Sequence, residues 1–289
     1  MRGSAIGVVL HPRRDSREHM DRVVRWAHRH DMEVRTLEEA EDLIPDGVRT
    51  VPEAEFAVDA GLVIGLGGDG TILRALKLAT EQSVPVLGVN LGRLAFLAEV
   101  NLDQLADALD RIDRGEHWLE ERAVMTVKGT CFPMQIVSFN DSALSRIPGN
   151  GPAALAVEVE GEIFARYTAD ALVIATPTGS TAYSFAAGGP IVSPRHRGLL
   201  VTPVAPHAAF DRAVFLHPEE TLRVHVLERS APLLLEADGQ SVAELRDGDC
   251  IEFAISDRPA RILRLHAQGF YERARRKLQI SDSSELAPR

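Results

Sequence analysis

The sequence predicts an N-terminal α/β domain built on a parallel sheet and a β-rich C-terminal domain of antiparallel sheets. Three observations predict it. Apolar runs alternate with amphipathic, charged stretches as far as Gly115. Beyond about residue 120 the runs become short and β-rich. The 289 residues are enough for two hydrophobic cores.

The first strand is "AIGVVL" at 5–10, followed by a charged helix over about 16–30 and a short strand at 33–37. "AVDAGLVIGL" has the apolar run of a buried parallel strand, placed at 62–66. In "TILRALKLA", Ile72, Leu73, Leu76 and Leu78 recur at helical spacing, which predicts a helix over 71–80 with Thr71 as N-cap. "VPVLGVN" at 84–90 is another strand, and "LDQLADALDRIDRG" a helix ending at Gly115. The βαβ rhythm is that of a Rossmann-like parallel sheet with covering helices. After it come "VMTVKG", "MQIVSFNDSALS", "LAVEVEGEIFARY", "ALVIATP", "TLRVHVLE", "PLLLEADG", "CIEFAIS" and "RILRLHA", with a hairpin turning at Glu160-Gly161. The expected division is 1–120, 121–270, and a C-terminal segment at 271–289 whose end, "SDSSELAPR", reads as a disordered tail.

Hydrophobic residues at 45% and charged residues at 26% suit a soluble globular chain. Against 42 acids stand 32 Lys and Arg, a formal charge of −10, which argues against nucleic acid or an anionic membrane as partner. No run of apolar residues is long enough to span a bilayer, and the first strand is too short for a secretory signal. Cys131 and Cys250 have no metal-ligand spacing, so two reduced thiols and a cytoplasmic location are expected.

Two glycine-rich segments carry the chemistry. In "GLGGDGTILRA" one carboxylate, Asp69, sits in a strand-to-helix turn among Gly67, Gly68 and Gly70. Glycines there reach unusual dihedrals and leave backbone N–H groups bare, and the helix N-terminus adds positive potential, which together suit a phosphate. Alone, such a turn reads equally as a tight bend with Asp69 as a cap. The second segment, "YTADALVIATPTGSTAYSFAAGGPIVSP" at 167–194, runs from a strand into small and hydroxyl residues that admit a flat ring and can hydrogen-bond a ribose. Alone it reads as a plain loop. No lysine follows either turn in the manner of a P-loop.

Taken in order, GGDGT at 67–71, "GVNLGRLAFL" at 88–97, "FND" at 139–141, "TPTGSTAYSFAAGGPI" at 176–191, "TPVAPH" at 202–207 and "DGQ" at 238–240 resemble the NAD kinase family. GGDGT by itself is shared with diacylglycerol and sphingosine kinases. The resemblance implies phosphorylation of the adenosine-ribose 2′-hydroxyl of NAD by ATP with Mg²⁺ or another divalent cation, or by polyphosphate. It makes Asp69 the catalytic general base and sets Gly68, Gly70 and Arg74 towards phosphate. Asn140 with Asp141 would hold NAD, and Thr181, Ala182, Tyr183 and Ala186 would line the adenine and ribose pocket. Asp170, with Thr168 beside it, would reach the nicotinamide end across a subunit boundary in a homodimer or homotetramer. Phe96 and Gln240 complete the expected contacts, and no protein side chain is expected as a standing metal ligand. His207 is expected to be structural. Ala95 and Ala171 stand where the family usually has glycine, and Asp141 replaces the commoner Glu. The rival readings are a GGDGT-type lipid or small-molecule kinase and a non-catalytic NAD-binding regulatory paralogue.

Overall fold

The computed structural model describes residues 3–11, 17–39, 44–92, 95–266 and 269–281. It divides into two compact units, Met1–Glu121 with Ala260–Arg289, and Arg122–Pro259. The first unit therefore takes in chain from both ends. The strand in "RILRLHA", expected with the β-rich domain, belongs instead to the first unit's sheet, and so does the helix that follows it. Most of the expected tail, 282–289, lies outside the described residues.

The first unit's strands are β1 (Ala5–Leu10), β2 (Glu33–Leu37), β3 (Val48–Val51), β4 (Ala60–Leu66), β5 (Val86–Asn90), β6 (Val100–Asn101), β7 (Trp118–Arg122) and, from the far end of the chain, β20 (Ala260–Arg264). Among the described residues they form one sheet in the order β3-β2-β1-β4-β5-β20-β7, with β6 paired to β5 off that path. β1, β2, β3, β4, β5 and β20 pair in parallel. The helices are α1 (Arg17–Arg29), the short α2 (Glu53–Phe56), α3 (Asp69–Thr80), α4 (Leu105–Asp113) and, C-terminal, α6 (Phe270–Lys277).

The pleat decides which helix covers which face. Ile6, Val8 and Leu10 of β1 and Leu62, Ile64 and Leu66 of β4 point to one side, where Met20, Val23 and Trp26 of α1 and Leu105, Leu109 and Ile112 of α4 bury them. On the other side the intervening positions include glycines. Gly65 of β4 and Gly88 of β5 are direct partners in the ladder. A Cβ on Gly65 would lie 3.2 Å from the Cα of Ile72, and one on Gly88 would lie 2.8 Å from its Cδ1. The bare strip lets α3 lie low on the sheet. A Cβ on Gly88 would also stand 3.0 Å from Ala98 Cα and 3.0 Å from the Leu97 carbonyl oxygen, so the same glycine admits the loop after β5.

The second unit holds β8 (Met125–Gly129), β9 (Phe132–Ser138), β10 (Asp141–Arg146), β11 (Ala153–Val159), β12 (Glu162–Ala169), β13 (Ala171–Ala175), β14 (Leu199–Val204), β15 (Val214–Leu216), β16 (Leu222–Val226), β17 (Leu233–Ala237), β18 (Gln240–Leu245) and β19 (Cys250–Ile255). Two antiparallel sheets result, β15-β14-β13-β10-β17-β18 and β12-β11-β16-β19-β8-β9. Leu144, Leu172, Ile174 and Leu235 of the first pack with Leu155, Val224, Ile251 and Phe253 of the second in a shared core. The hairpin expected at Glu160-Gly161 joins β11 to β12, and both turn residues have positive φ, 52° and 84°.

Gly88→Ala should lower the stability of the protein by about 1–3 kcal/mol in urea denaturation, since two of the atoms it meets are backbone. Gly68→Ala, where a Cβ meets nothing within 4 Å, should change it by no more than about 1 kcal/mol.

Candidate active site

The N-cap of α3 is Gly68, with extended dihedrals of φ −89° and ψ −170°, and Asp69 is the first helical residue. Thr71, expected as the cap, is instead the third helical residue and is buried. Gly67, Gly68 and Gly70 all have φ outside the left-handed region, so the expectation that they reach unusual dihedrals does not hold. Of the three, only Gly67 is needed for space. A Cβ on Gly67 would come within 2.2 Å of the Thr71 hydroxyl, whereas Gly68 and Gly70 face open room. Bare N–H groups at the start of a twelve-residue helix suit an anion.

Asp69 is held from two sides. Its Oδ1 accepts the Leu97 N–H at 2.9 Å, and its Oδ2 forms an ion pair with Lys277 at the end of α6. Leu97 is fixed in turn by Arg264 of β20. The Arg264 Nη1 donates to the Leu97 carbonyl at 3.1 Å and to Glu99 at 3.1 Å, and its Nε donates to Glu120 at 2.5 Å. Both Arg264 and Glu99 have side chains only 1% exposed. Glu99 also accepts the backbone N–H groups of Leu265 and His266. The carboxylate that the sequence places in a bare loop is thus oriented by the returning C-terminal chain.

Phe96 is half-buried, and the Lys277 ammonium lies 4.4 Å from its ring centroid. Arg74, expected to reach a phosphate, pairs with Glu39 and, at 3.7 Å, Glu53. Lys277 is the cation at Asp69, and the sequence reading missed it. Its only signal was the basic run Arg275-Arg276-Lys277, which complements a helix C-terminus on any surface helix.

In the second unit the expected residues gather around one turn. Asn140 directly precedes β10, Asp141 opens it, and the Tyr183 backbone N–H bonds the buried Asp141 carboxylate. Thr181 ends a 3-10 turn (Gly179–Thr181), Ala182 follows it, and Tyr183 and Ala186 bound the short α5 (Tyr183–Ala186). Gly179 is required by contact, because a Cβ there would fall 2.0 Å from the Asn140 carbonyl oxygen. The hydroxyls expected to meet a ribose are largely spent on protein partners, within the loop and in neighbouring elements. Thr176 donates to Phe139 O at 2.5 Å, Ser180 to Pro177 O at 2.8 Å, and Ser184 shares a 2.8 Å bond with Thr202. Thr181 and Tyr183 remain partly open to solvent.

The "DGQ" motif works through a residue the sequence did not single out. Asp238 and Gly239, both with positive φ (48° and 75°), form the two-residue turn between β17 and β18. The Asp238 carboxylate accepts N–H groups from Phe139 at 2.9 Å, Asn140 at 2.7 Å and Asp141 at 3.3 Å, and the Ser138 hydroxyl at 2.9 Å. It therefore sets the backbone of the Asn140–Asp141 pair, while Gln240 is exposed at the start of β18. Asp170 bonds Arg146 at 2.5 Å, and the carbonyl of Thr168 accepts the N–H of the exposed His207 at 2.7 Å. Ala95 and Ala171 are both buried.

Burial, with the Asp238 carboxylate beside it, pushes Asp141 up to about 6, while the Tyr183 N–H pulls the other way. Burial raises the Tyr183 phenol, and Glu236, Asp141 and Asp170 add to the rise.

The family described as the ATP-NAD kinase N-terminal domain matches residues 6–117, and the ATP-NAD kinase C-terminal domain matches residues 139–265. NAD kinase 1 of Streptomyces avermitilis is 34% identical, the match covering 96% of this chain and 88% of the relative. The NAD kinase of Moorella thermoacetica is 38% identical over 81% of this chain and 76% of its own. Among solved structures, yeast NADH kinase complexed with NADH gives a TM-score of 0.86 at 25% identity, covering 100% of this chain and 91% of that one. An NAD kinase from Archaeoglobus fulgidus in complex with ATP gives 0.74 at 25% identity, covering 95% and 98%.

Between its ordinary value and about 6, the folded protein keeps a proton on Asp141 that the unfolded chain has released. Raising the pH through that window therefore costs stability, at most about 3 kcal/mol. Asp141→Asn has no such cost. Compared by urea denaturation, the variant should gain on the parent at about pH 7.5 and show little gain at about pH 4.

Proposed function

Because this chain belongs to the NAD kinase family, we propose that Asp69 is the base that takes the proton from the adenosine-ribose 2′-hydroxyl of NAD. The observation that carries this reading is the setting of that carboxylate: at the first turn of α3, oriented by the Leu97 N–H, and flanked by glycines with open room before them. A sugar hydroxyl is a weak nucleophile, and phosphoryl transfer depends chiefly on positioning and on neutralising charge. The O2′–H bond breaks and its proton goes to Asp69. O2′ bonds to the terminal phosphorus of ATP, and the bond from that phosphorus to the bridging oxygen breaks with its electrons leaving on ADP.

The bare amides of Gly68 and Gly70 fit the donor's phosphates, which bring the divalent cation with them. A divalent cation accompanying the donor's phosphates would offset part of their charge. Among the described residues no cluster of three or more His, Cys, Asp or Glu is placed to hold a metal on its own. Asn140 and Asp141 hold the nucleotide, with Thr181, Ala182, Tyr183 and Ala186 lining the adenine and ribose pocket and Thr168, Asp170, Phe96 and Gln240 as outer contacts. Polyphosphate is a second donor of the same chemistry. The active species is a homodimer or homotetramer in the cytoplasm; light scattering under assay conditions tests the assembly, and a fully active monomer would overturn it. No helix among the described residues is long and apolar enough to cross a membrane.

Asp69→Asn keeps the shape and one acceptor but removes the base. It should lower kcat for NADP formation from NAD and ATP by about 10²–10⁴-fold and leave calorimetric NAD binding within about threefold. Undiminished turnover would show that the proton leaves to another group, and a parallel loss of binding would make Asp69 a ligand-positioning residue.

A further inference from the structure

The ion pair between Asp69 and Lys277 sits awkwardly for a base. An ammonium on Oδ2 occupies the lone pairs that must receive the hydroxyl proton. The neighbouring cations are committed elsewhere: Arg74 to Glu39 and Glu53, Arg273 to Glu99, and Arg276 to Glu272. Lys277 has Asp69 as its one carboxylate among the described residues, and its side chain is 30% exposed. A partly solvated pair is held weakly and is easily exchanged for a better anion. The lysine stem is flexible, and the Phe96 ring beneath the ammonium keeps it local when the carboxylate is released.

The geometry points to Lys277 as a ligand of the donor's terminal phosphate that is kept on Asp69 until the donor arrives. The inference rests on Asp69 being the base. When the triphosphate enters the glycine loop, its more highly charged oxygens take the ammonium, and Oδ2 is left open for the 2′-hydroxyl proton. The lysine stays protonated throughout. It gains a phosphate oxygen and loses a carboxylate oxygen, and every bond made or broken in the transfer remains as described for the reaction. Donor binding would thereby switch on the base, so that NAD bound alone faces a carboxylate already in use.

The test uses Lys277→Met, Lys277→Gln and Lys277→Arg in the full chain, each checked by thermal melting. The KM for ATP should rise at least about tenfold in Lys277→Met while the KM for NAD stays within about twofold, and Lys277→Arg should recover most of the loss. If the methionine variant fails to fold, Lys277→Gln gives the same reading. Equal rises in both KM values, or no rise for ATP, would overturn the assignment. A second readout is independent of turnover. Calorimetry with MgATP should show tighter binding to Asp69→Asn than to the parent, and that gain should shrink when Lys277→Met is added, because the competition between carboxylate and phosphate for the ammonium is then gone. Gains equal in both backgrounds would refute the exchange. Should Asp69→Asn keep its activity, the base assignment alone falls, and the selective ATP effect of Lys277 still reads out separately.

Discussion

The packing of Ile72 onto two paired glycines is the constraint from which the first unit's chemistry follows. Gly65 and Gly88 stand side by side on adjacent parallel strands and leave a trough with no side chains. Only a helix lying low in that trough puts its first residue close above the carboxyl ends of β4 and β5, where open α/β sheets hold ligands. Gly88 serves twice, since the loop carrying Leu97 uses the same missing Cβ. One glycine thus sets both the height of Asp69 and the position of the amide that orients it. Domains have only about 5–15 kcal/mol of net stability, so a fault here would be felt in the fold and in the site together.

The second unit uses a carboxylate differently. Asp238 accepts three consecutive backbone N–H groups and a hydroxyl, an arrangement in which an anion acts as the centre of a turn. Asp141 lies beside it, poorly solvated, and is correspondingly reluctant to ionise. The hydroxyls around Gly179 are likewise spent on protein partners: Ser180 on a carbonyl of the loop, Thr176 on the Phe139 carbonyl and Ser184 on the Thr202 hydroxyl of β14. What the loop then offers a ligand is shape and backbone, with few free side-chain donors.

The parallel sheet, the strand-to-helix turn and the β-rich half were legible because hydrophobic period and glycine spacing are local properties. The placement of β20 was not. "RILRLHA" is a short β-rich run like those before it, and nothing local distinguishes a strand that returns to a distant sheet. The cap of α3 was misplaced for a related reason: side-chain preference favours Thr71, but the glycines before it are free to enter the helix and Gly68 takes the position. Asp69 stood out because it was alone among glycines. Lys277 and Asp238 did not, since a basic helix end and an Asp-Gly turn each have an ordinary explanation. Their contacts span 208 residues for Lys277 and up to 100 for Asp238. Arg74 was legible as a cation but not as one already claimed by Glu39 and Glu53.

The return of the chain to its first sheet has a consequence for synthesis. The second unit is one uninterrupted stretch, Arg122–Pro259, whereas the first is assembled from the stretches on either side of it. On a ribosome the β-rich half can close while the earlier strands still wait for β20, and until it arrives the N-terminal end of β5, at Val86, presents an unpaired edge. The cation for Asp69 emerges later still, at the end of α6. A nascent chain therefore cannot form the Asp69–Lys277 pair until α6 has been made, and a product that stops short of Ala260 would keep every glycine motif yet lose the strand that pins Leu97 and the helix that brings Lys277.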